Sequence, residues 1–208
     1  MATYNPHDKF FHKARARGLP SRAAFKLEEI LRRFHLAPPN ARVADLGCAP
    51  GGWLSILSDA VGSGGRVAGV DIAACAIHPA NVRVITGDIL DPRIHDRVKS
   101  ELGGRADLIT SDLAPKLSGV AERDQARLGE LLEAALAFAS AALRPGGAMV
   151  AKVFMGPGFG EFPQLFRQCF KKVEVTHTRA SRPGSSELYI VARDFTGAAH
   201  EGAFKMEL

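Results

Sequence analysis

The sequence predicts an α/β fold with a doubly wound, mostly parallel sheet. Between residues 41 and 193, short apolar segments typical of strands alternate with segments of helical periodicity, and the connections between them are short. A glycine-rich turn follows the first strand, at the edge where such sheets bind ligands. The length of 208 residues suits one domain with a substantial core.

The first predicted element is a helix that starts after Pro20, with Ser21 as its N-cap. An apolar stripe recurs at helical spacing along this helix and consists of Ala23, Leu27, Ile30 and Phe34. A polar stripe runs beside it and consists of Arg22, Lys26, Glu29 and Arg33. The prolines of "LAPPN" end the helix.

Seven strands and three further helices follow, in an order that favours β-α alternation. The predicted strands are "ARVADLG", "GRVAGVD", "NVRVITGD", "ADLITSD", "AMVAKVF", "KKVEVTHT" and "ELYIVAR". The predicted helices are "GGWLSILSDAV", a long helix over about 122–143, and "EFPQLFRQCF". The segment "RASRPGSS" between the last two strands is too short for a crossover helix, so this pair is predicted to be antiparallel.

Composition and cysteine content indicate a cytoplasmic protein without a metal or a membrane anchor. Hydrophobic residues make up 46% and charged residues 24%, which is ordinary for a globular protein. The three cysteines, Cys48, Cys75 and Cys169, have neither metal-ligand spacing nor a disulfide pattern, as expected in a reducing compartment. The longest apolar run, 131–143, is too short to span a bilayer. We expect a monomer.

The positive charge is concentrated at the N-terminus. Residues 1–33 hold eight basic residues against three acidic ones, which accounts for the whole net charge of +5. The basic residues are Lys9, Lys13, Arg15, Arg17, Arg22, Lys26, Arg32 and Arg33. A basic arm over residues 1–20, followed by a domain over 21–208, indicates a polyanionic partner such as nucleic acid. The alternative is a solvated arm that only aids solubility.

The segment "VADLGCAPGGW" reads as a strand, a glycine turn and a helix start. Gly47, Gly51 and Gly52 would let the backbone turn tightly and approach a ligand at the helix N-terminus. The spacing differs from the G-x-G-x-x-G pattern that binds a pyrophosphate, and Pro50 lacks an N–H that a phosphate could use. The alternative is a tight turn with no ligand.

An aspartate ends each of the three strands that follow this turn: Asp71, Asp88 and Asp112. Carboxyl ends of parallel strands share one edge of the sheet, where ligands bind. Asp71 suits ribose hydroxyls, while the other two suit an adenine amine and a cationic centre. Three carboxylates therefore favour a positively charged nucleoside such as S-adenosylmethionine. Alternatively, each aspartate is only a helix N-cap.

Lys152 interrupts the apolar run "GGAMVAKVFMG", which otherwise reads as a buried strand. An ammonium is costly to bury unless it is paired or becomes neutral. Lys152 is therefore a candidate functional residue. Alternatively, it extends to solvent at the strand end.

Lys152 and the glycine turn belong to a set of segments that together closely resemble the FtsJ/RrmJ family, the heat-shock ribosomal RNA 2′-O-methyltransferases. The matching segments are "SRAAFKLEEI", "VADLGCAPGGW", "SDLAPKLSG", "GGAMVAKVF" and "SRPGSSELYIVA", in family order over nearly the whole chain. The resemblance implies a Rossmann-like class I S-adenosylmethionine-dependent methyltransferase fold, with seven strands and an antiparallel last strand. It also implies a catalytic tetrad of Lys26, Asp112, Lys152 and Glu187. The implied cofactor-binding residues are Gly51, Trp53, Asp71, Asp88 and Asp112.

The implied reaction is methyl transfer from S-adenosylmethionine to a uridine ribose 2′-hydroxyl in 23S rRNA of the large ribosomal subunit. We favour Lys152 as the proton acceptor, held by its acidic partners, with Lys26 positioning the ribose. A softer role, in which Lys152 only orients the hydroxyl oxygen, stays open. One departure from the family, Lys116 where asparagine is common, lies in a loop expected to face the substrate.

Other hypotheses also stay open. The substrate could be a tRNA anticodon-loop ribose, or the protein could be a non-catalytic RNA-binding ribosome-assembly factor. A nicotinamide-dependent oxidoreductase is a third hypothesis. Among single residues, Lys26 could belong to the solvated stripe, Glu187 could be a surface residue on an edge strand, and Trp53 could be a core residue.

Overall fold

The computed structural model describes residues 9–19, 23–75, 79–182 and 184–197, which form a seven-stranded sheet with helices on both faces. The predicted N-cap Ser21 and the predicted stripe residue Arg22 lie outside these ranges. No helix within them is both long and apolar enough to cross a membrane. All three cysteines are buried and none forms a disulfide.

The sheet contains all seven predicted strands. They are β1 (Arg42–Leu46), β2 (Arg66–Asp71), β3 (Val82–Thr86), β4 (Ala106–Ser111), β5 (Leu143–Phe154), β6 (Phe170–Thr176) and β7 (Glu187–Phe195). The helices are α1 (Lys9–Ala16), α2 (Ala23–Phe34), α3 (Gly52–Val61), α4 (Pro92–Leu102), α5 (Ala121–Ala142) and α6 (Phe162–Cys169). A short 3-10 turn, Phe159–Glu161, precedes α6.

The strand order is β3-β2-β1-β4-β5-β7-β6. All neighbours are parallel except β7, which is antiparallel to both β5 and β6. This arrangement confirms the predicted fold class, including the antiparallel last strand. The chain winds outward from β1 in one direction and then from β4 in the other, so a crevice opens between the carboxyl ends of β1 and β4.

Two features of the helices differ from the prediction. Helix α4 was not predicted. Its N-cap Asp91 accepts a hydrogen bond from Arg93 N, and its core face carries only Ile94, Val98 and Leu102. This sparse apolar pattern is easily overlooked in a polar segment. The predicted alternation is also wrong between β2 and β3, because residues 72–75 and 79–81 of that connection contain no helix.

Helix α1 was not predicted either and lies inside the segment proposed as a basic arm. Its residue Ala14 is buried in a small cluster with Phe25 and Ala180. Just beyond α1, the Arg17 guanidinium bonds both carboxylate oxygens of Glu28 at 2.9 and 3.0 Å. The described part of the arm therefore lies against α2.

The core has one layer on each face of the sheet. Helices α2 and α3 cover one face, and α4, α5 and α6 cover the other. The predicted stripe of α2 is buried at Leu27, Ile30 and Phe34, but Ala23 is only half-buried and Ala24 is fully buried instead. The buried stripe therefore fixes how α2 lies on the sheet.

Candidate active site

The glycine turn after β1 is held close to the loop after β4. Gly47 has a φ of 75°, and a Cβ there would lie 3.0 Å from the backbone nitrogen of Leu113. Asp112 N donates to Leu46 O at 2.9 Å, which joins the two strand ends. Gly51, at the start of α3, has a φ of 108° that disfavours a side chain. These constraints explain why glycine occupies both positions.

Lys152 and Asp112 form the first of two ion pairs at the edge of the sheet where β1, β4 and β5 end. The Lys152 ammonium donates to Asp112 Oδ1 at 2.6 Å and to the Asp112 carbonyl oxygen at 3.0 Å. The Lys152 side chain is 11% exposed, so it does not extend to solvent as the simpler interpretation required. Its Nζ also lies 5.6 Å from the centre of the Phe154 ring.

Lys26 and Glu187 form the second pair. Lys26 Nζ lies 2.6 and 2.8 Å from the two carboxylate oxygens, and each side chain is only 13% exposed. Tyr189 donates its hydroxyl to Glu187 Oε1 at 2.6 Å. Tyr189 was not predicted as a site residue, although its position two residues after Glu187 places both side chains on one face of β7.

The pairing of β5 with β7 brings these residues together. Glu187 is opposite Phe154, and Tyr189 is opposite Lys152. Lys26 therefore does not belong to the solvated stripe of α2. Glu187 opens an interior strand, because β7 lies between β5 and β6, so the surface interpretation is wrong.

Trp53 lies at the start of α3 and is 3% exposed. Its indole N–H donates to the carbonyl oxygen of Ala23, the first residue of α2, at 3.2 Å. The ring centroid lies 6.2 Å from that of Tyr189. The indole therefore belongs to the core, as the alternative interpretation held, and any cofactor contact of Trp53 is left to its backbone or ring edge.

The aspartates at the end of β2 and after β3 accept hydrogen bonds from backbone N–H groups of nearby loops. Asp71 accepts hydrogen bonds from Ala49 N at 2.9 Å and Ala73 N at 2.8 Å, while exposed Asp88 accepts one from Leu90 N at 3.0 Å. The N-caps of α4 and α5 are Asp91 and Val120. The interpretation of Asp71, Asp88 and Asp112 as helix N-caps is therefore wrong. Asp71 joins β2 to the glycine turn.

The FtsJ-like methyltransferase family matches residues 19–195, which include all four residues of the two ion pairs. The chain belongs to this family. The match confirms the predicted family and the predicted enzyme class. The hypothesis of a nicotinamide-dependent oxidoreductase is therefore wrong.

Curated relatives of this FtsJ-like methyltransferase include proteins named ribosomal RNA large subunit methyltransferase E. The protein from Acidithiobacillus ferrooxidans is 45% identical over 195 residues, covering 93% of this chain and 88% of the relative. The protein from Methanoculleus marisnigri is 44% identical over 194 residues, covering 93% and 94%. The protein from Myxococcus xanthus is 43% identical over 191 residues, covering 90% and 89%.

Solved structures support the fold. A ribosomal RNA methyltransferase of Plasmodium falciparum superposes with a TM-score of 0.75 and 24% identity, over 86% of this chain and 99% of that one. Fibrillarin of Aeropyrum pernix, solved with bound S-adenosyl-L-methionine, has a TM-score of 0.55 and 19% identity, over 75% and 67%.

The methyltransferase site contains buried groups whose pKa values are raised above their ordinary values. Burial raises the pKa of Asp112, although the nearby Lys152 charge opposes the shift. Burial and the Glu187 carboxylate raise the pKa of the Tyr189 hydroxyl, so Tyr189 remains a hydrogen-bond donor. Burial also raises the pKa of the Cys48 thiol, which stays protonated. Within the described ranges, no group of three His, Cys, Asp or Glu side chains could hold a metal ion.

Asp45 is a fully buried carboxyl in β1 that the sequence analysis did not single out. Its Oδ1 accepts a hydrogen bond from Thr110 at 2.6 Å, while Oδ2 has no protein partner. Burial raises the pKa of Asp45 well above its ordinary value, and the charges of Asp112 and Asp71 add to the shift. The folded protein therefore binds a proton at Asp45 more tightly than the unfolded chain does.

We predict that Asp45 makes the protein less stable as pH rises. A raised folded-state pKa contributes stability fully below the unfolded pKa of about 4 and loses it as pH rises towards the folded value. Asp45→Asn should remove this loss, so the free energy of unfolding of the variant should increase relative to that of wild type as the pH rises above about 4. Urea unfolding at fixed ionic strength measures the difference, with the exposed Asp59→Asn as control. A pH-independent difference would contradict the prediction.

Proposed function

We propose that this protein transfers a methyl group from S-adenosylmethionine to the 2′-hydroxyl of a uridine ribose in 23S rRNA. The observation that carries the proposal is the pair of adjacent ion pairs, Lys26–Glu187 and Asp112–Lys152, at the carboxyl edge of the sheet. The names of the curated relatives support ribosomal RNA of the large subunit as the substrate. We also propose that the protein acts in the cytoplasm, as a monomer, in ribosome maturation.

The residues near the glycine turn fit a positively charged nucleoside. Gly51 leaves the backbone open at the start of α3, while Asp71 and Asp88 offer carboxylate oxygens to hydroxyl and amine donors. Two large apolar side chains next to these aspartates are exposed: Ile72 at 76% and Leu90 at 64%. They would cover a purine ring, and Trp53 and Asp112 complete the proposed set. S-adenosylmethionine, when bound, supplies an electrophilic methyl group on a sulfonium.

Lys152 can act in either of its two protonation states. A neutral amine has two N–H groups, which match the two acceptors on Asp112 and leave the lone pair for the proton of a hydroxyl. The ammonium has a third N–H, which would instead orient the hydroxyl oxygen. We favour Lys152 Nζ as the proton acceptor, which requires the ammonium of the ion pair to release one proton before it takes the proton of the hydroxyl, since a ribose hydroxyl is a poor nucleophile without a base.

Lys26 is proposed to position the ribose. Glu187 holds the Lys26 ammonium with both carboxylate oxygens, and Tyr189 in turn orients Glu187. This chain of contacts fixes Lys26 Nζ while leaving part of its donor capacity for sugar oxygens. Alignment of the two substrates supplies much of the rate in such a site.

Mapping of 2′-O-methylation in total RNA tests the proposed function. Ribose methylation protects the adjacent phosphodiester from alkaline cleavage, so cells without the gene should lose protection at one uridine of 23S rRNA. Restoring the wild-type gene should restore protection, and a Lys152→Ala gene should not. Loss at a tRNA position would favour the tRNA hypothesis, and no loss anywhere would favour a non-catalytic assembly factor.

A pair of substitutions at Lys152 separates its two possible roles. Lys152→Ala should bind S-adenosylmethionine nearly as wild type but lower kcat by about 100-fold or more, the usual contribution of a general base. Lys152→Arg keeps the charge but cannot accept a proton. If Lys152 is the base, Lys152→Arg should be as inactive as Lys152→Ala. If Lys152 only orients the hydroxyl oxygen, Lys152→Arg should keep most of the wild-type rate.

Calorimetric titration of the cofactor and tritiated methyl transfer to large subunits give the two readouts. Lys172→Ala is the matched control, because Lys172 is 63% exposed on β6. Full activity of Lys152→Ala would remove Lys152 from the mechanism.

The basic segment over residues 1–20, which precedes the proposed single domain over 21–208, is proposed to bind RNA phosphates together with Arg22 at the start of that domain. Arg15 is exposed on α1, whereas Arg17 is held by Glu28 and Arg22 lies outside the described residues. Arg15→Ala with Arg22→Ala should weaken RNA binding and reduce the slope of log affinity against log salt by roughly 0.7–0.9 for each phosphate that is no longer neutralised. Filter binding at several salt concentrations measures the slope, with the exposed Arg167→Ala on α6 as control. An unchanged slope would place the RNA surface elsewhere.

A further inference from the structure

Large apolar side chains are exposed mainly around the active-site edge of the sheet. Among the residues that the structure describes, the exposed ones are Ile72, Leu90, Leu117, Val120, Met155 and Val175. All except Val175 lie in segments that directly follow the carboxyl ends of β2, β3, β4 and β5. Single exposed apolar residues are ordinary, but a group on one functional edge indicates contact with a ligand.

The group divides at the crevice between β1 and β4. Ile72 and Leu90 follow β2 and β3, on the side of Asp71 and Asp88. The other three side chains follow β4 and β5, the strands that carry Asp112 and Lys152. We call Leu117, Val120 and Met155 the acceptor-side rim.

The loop that carries Leu117 and Val120 has a defined conformation. The Asp124 carboxylate accepts hydrogen bonds from Ser118 N and Ser118 Oγ, both at 2.7 Å, and from Gly119 N at 3.1 Å. Arg127 donates to the Lys116 carbonyl oxygen at 3.3 Å. Leu117 is nevertheless 71% exposed and Val120 51% exposed. The loop is therefore anchored to the first turns of α5 while its apolar side chains face outward.

Met155 is anchored next to the same helix. Met155 N donates to Ser186 O at 2.8 Å, and Ser186 directly precedes Glu187. The carbonyl oxygen of Phe154 accepts a hydrogen bond from Gln125 of α5 at 3.1 Å. Met155, 61% exposed, thus lies between the start of α5 and the Lys26–Glu187 pair.

We propose that the acceptor-side rim is the subsite for the nucleobase of the nucleotide that is methylated. This inference rests on the proposed function. The Lys152 side chain is only 11% exposed, so a ribose has to enter the site to reach it, and the base of that nucleotide is then splayed away from its stacking partners. The rim would cover that face with aliphatic side chains, and Met155 can adapt its shape to the base.

The neighbourhood of the rim fits a nucleotide. Lys116 adjoins Leu117 and is exposed, so it can meet a phosphate while the rim meets the base. The Asp112–Lys152 pair lies at the ends of the same strands, and the Lys26–Glu187 pair lies beside the end of β5, so both pairs can meet the sugar. Sugar, base and phosphate would then each face side chains of suitable chemistry within one part of the molecule.

Serine substitutions test the rim. Leu117→Ser and Met155→Ser should each lower kcat/KM for large ribosomal subunits from cells lacking the gene by about fivefold, and the double variant by roughly 25-fold, because each substitution removes apolar surface that would pack on the base. The affinity for S-adenosylmethionine, the melting temperature and the salt slope of activity should stay at their wild-type values. Leu117→Met and Met155→Leu should keep activity, since they preserve volume and apolarity.

Val175→Ser is the matched control, because Val175 is 42% exposed on the outermost strand β6, which β7 separates from β5. If wild type methylates the subunits and the double variant equals Val175→Ser, the rim inference fails while the proposed function stands. If wild type transfers no methyl group, the proposed function itself fails. Loss of S-adenosylmethionine affinity in the double variant would assign the rim to the donor pocket and overturn the inference.

A photo-crosslink distinguishes a nucleobase from a protein partner. Benzoylphenylalanine introduced in place of Leu117 should, on irradiation with the same large subunits, crosslink to ribosomal RNA at or beside the methylated nucleotide. A crosslink only to a ribosomal protein would show that the rim is a protein-docking surface, and the inference would then be wrong.

Discussion

Two neighbouring ion pairs, largely removed from water, are the constraint on which the rest of this site depends. Breaking one partner of a buried pair typically costs about 3–5 kcal/mol, a large fraction of the stability of a whole domain. Lys26, Asp112, Lys152 and Glu187 therefore have to meet, although they come from α2, the end of β4, β5 and β7. The fold satisfies this requirement through the direction and register of its strands.

The antiparallel direction of β7 is decisive for the second pair. Glu187 is the first residue of β7 and lies opposite Phe154, the last residue of β5. A parallel β7 would have placed its first residue at the other edge of the sheet, far from Lys152. Because β7 is antiparallel, its first residue, Glu187, lies at the active-site edge of the sheet. Tyr189, two residues later, lies on the same face of β7.

A second set of interactions links the glycine turn, where the methyl donor is proposed to bind, to Lys26, which is proposed to position the ribose. The glycine turn leads into α3, where Trp53 holds the first residue of α2 by a hydrogen bond and packs near Tyr189. Helix α2 carries Lys26 to Glu187. The turn proposed to bind the methyl donor and the lysine proposed to position the ribose therefore rest on one buried tryptophan. Although the Trp53 ring faces the core, it therefore helps to hold α2, and with it Lys26, in place.

The sequence by itself determined the seven strands, the reversal of the last one and the aspartates at the strand ends, because apolar runs and short connections are local patterns. It missed α4, where only three core-facing residues interrupt a polar segment. The family resemblance placed Lys26 and Glu187 in one tetrad, but the local pattern left each with a plausible surface role, since these partners are 161 positions apart. Only the tertiary structure decided which charges meet, that Tyr189 supports Glu187, that Asp45 is buried with one oxygen unpaired, and which apolar side chains surround the site. Burial and pairing depend on distances between segments remote in the chain, and no local pattern encodes those distances.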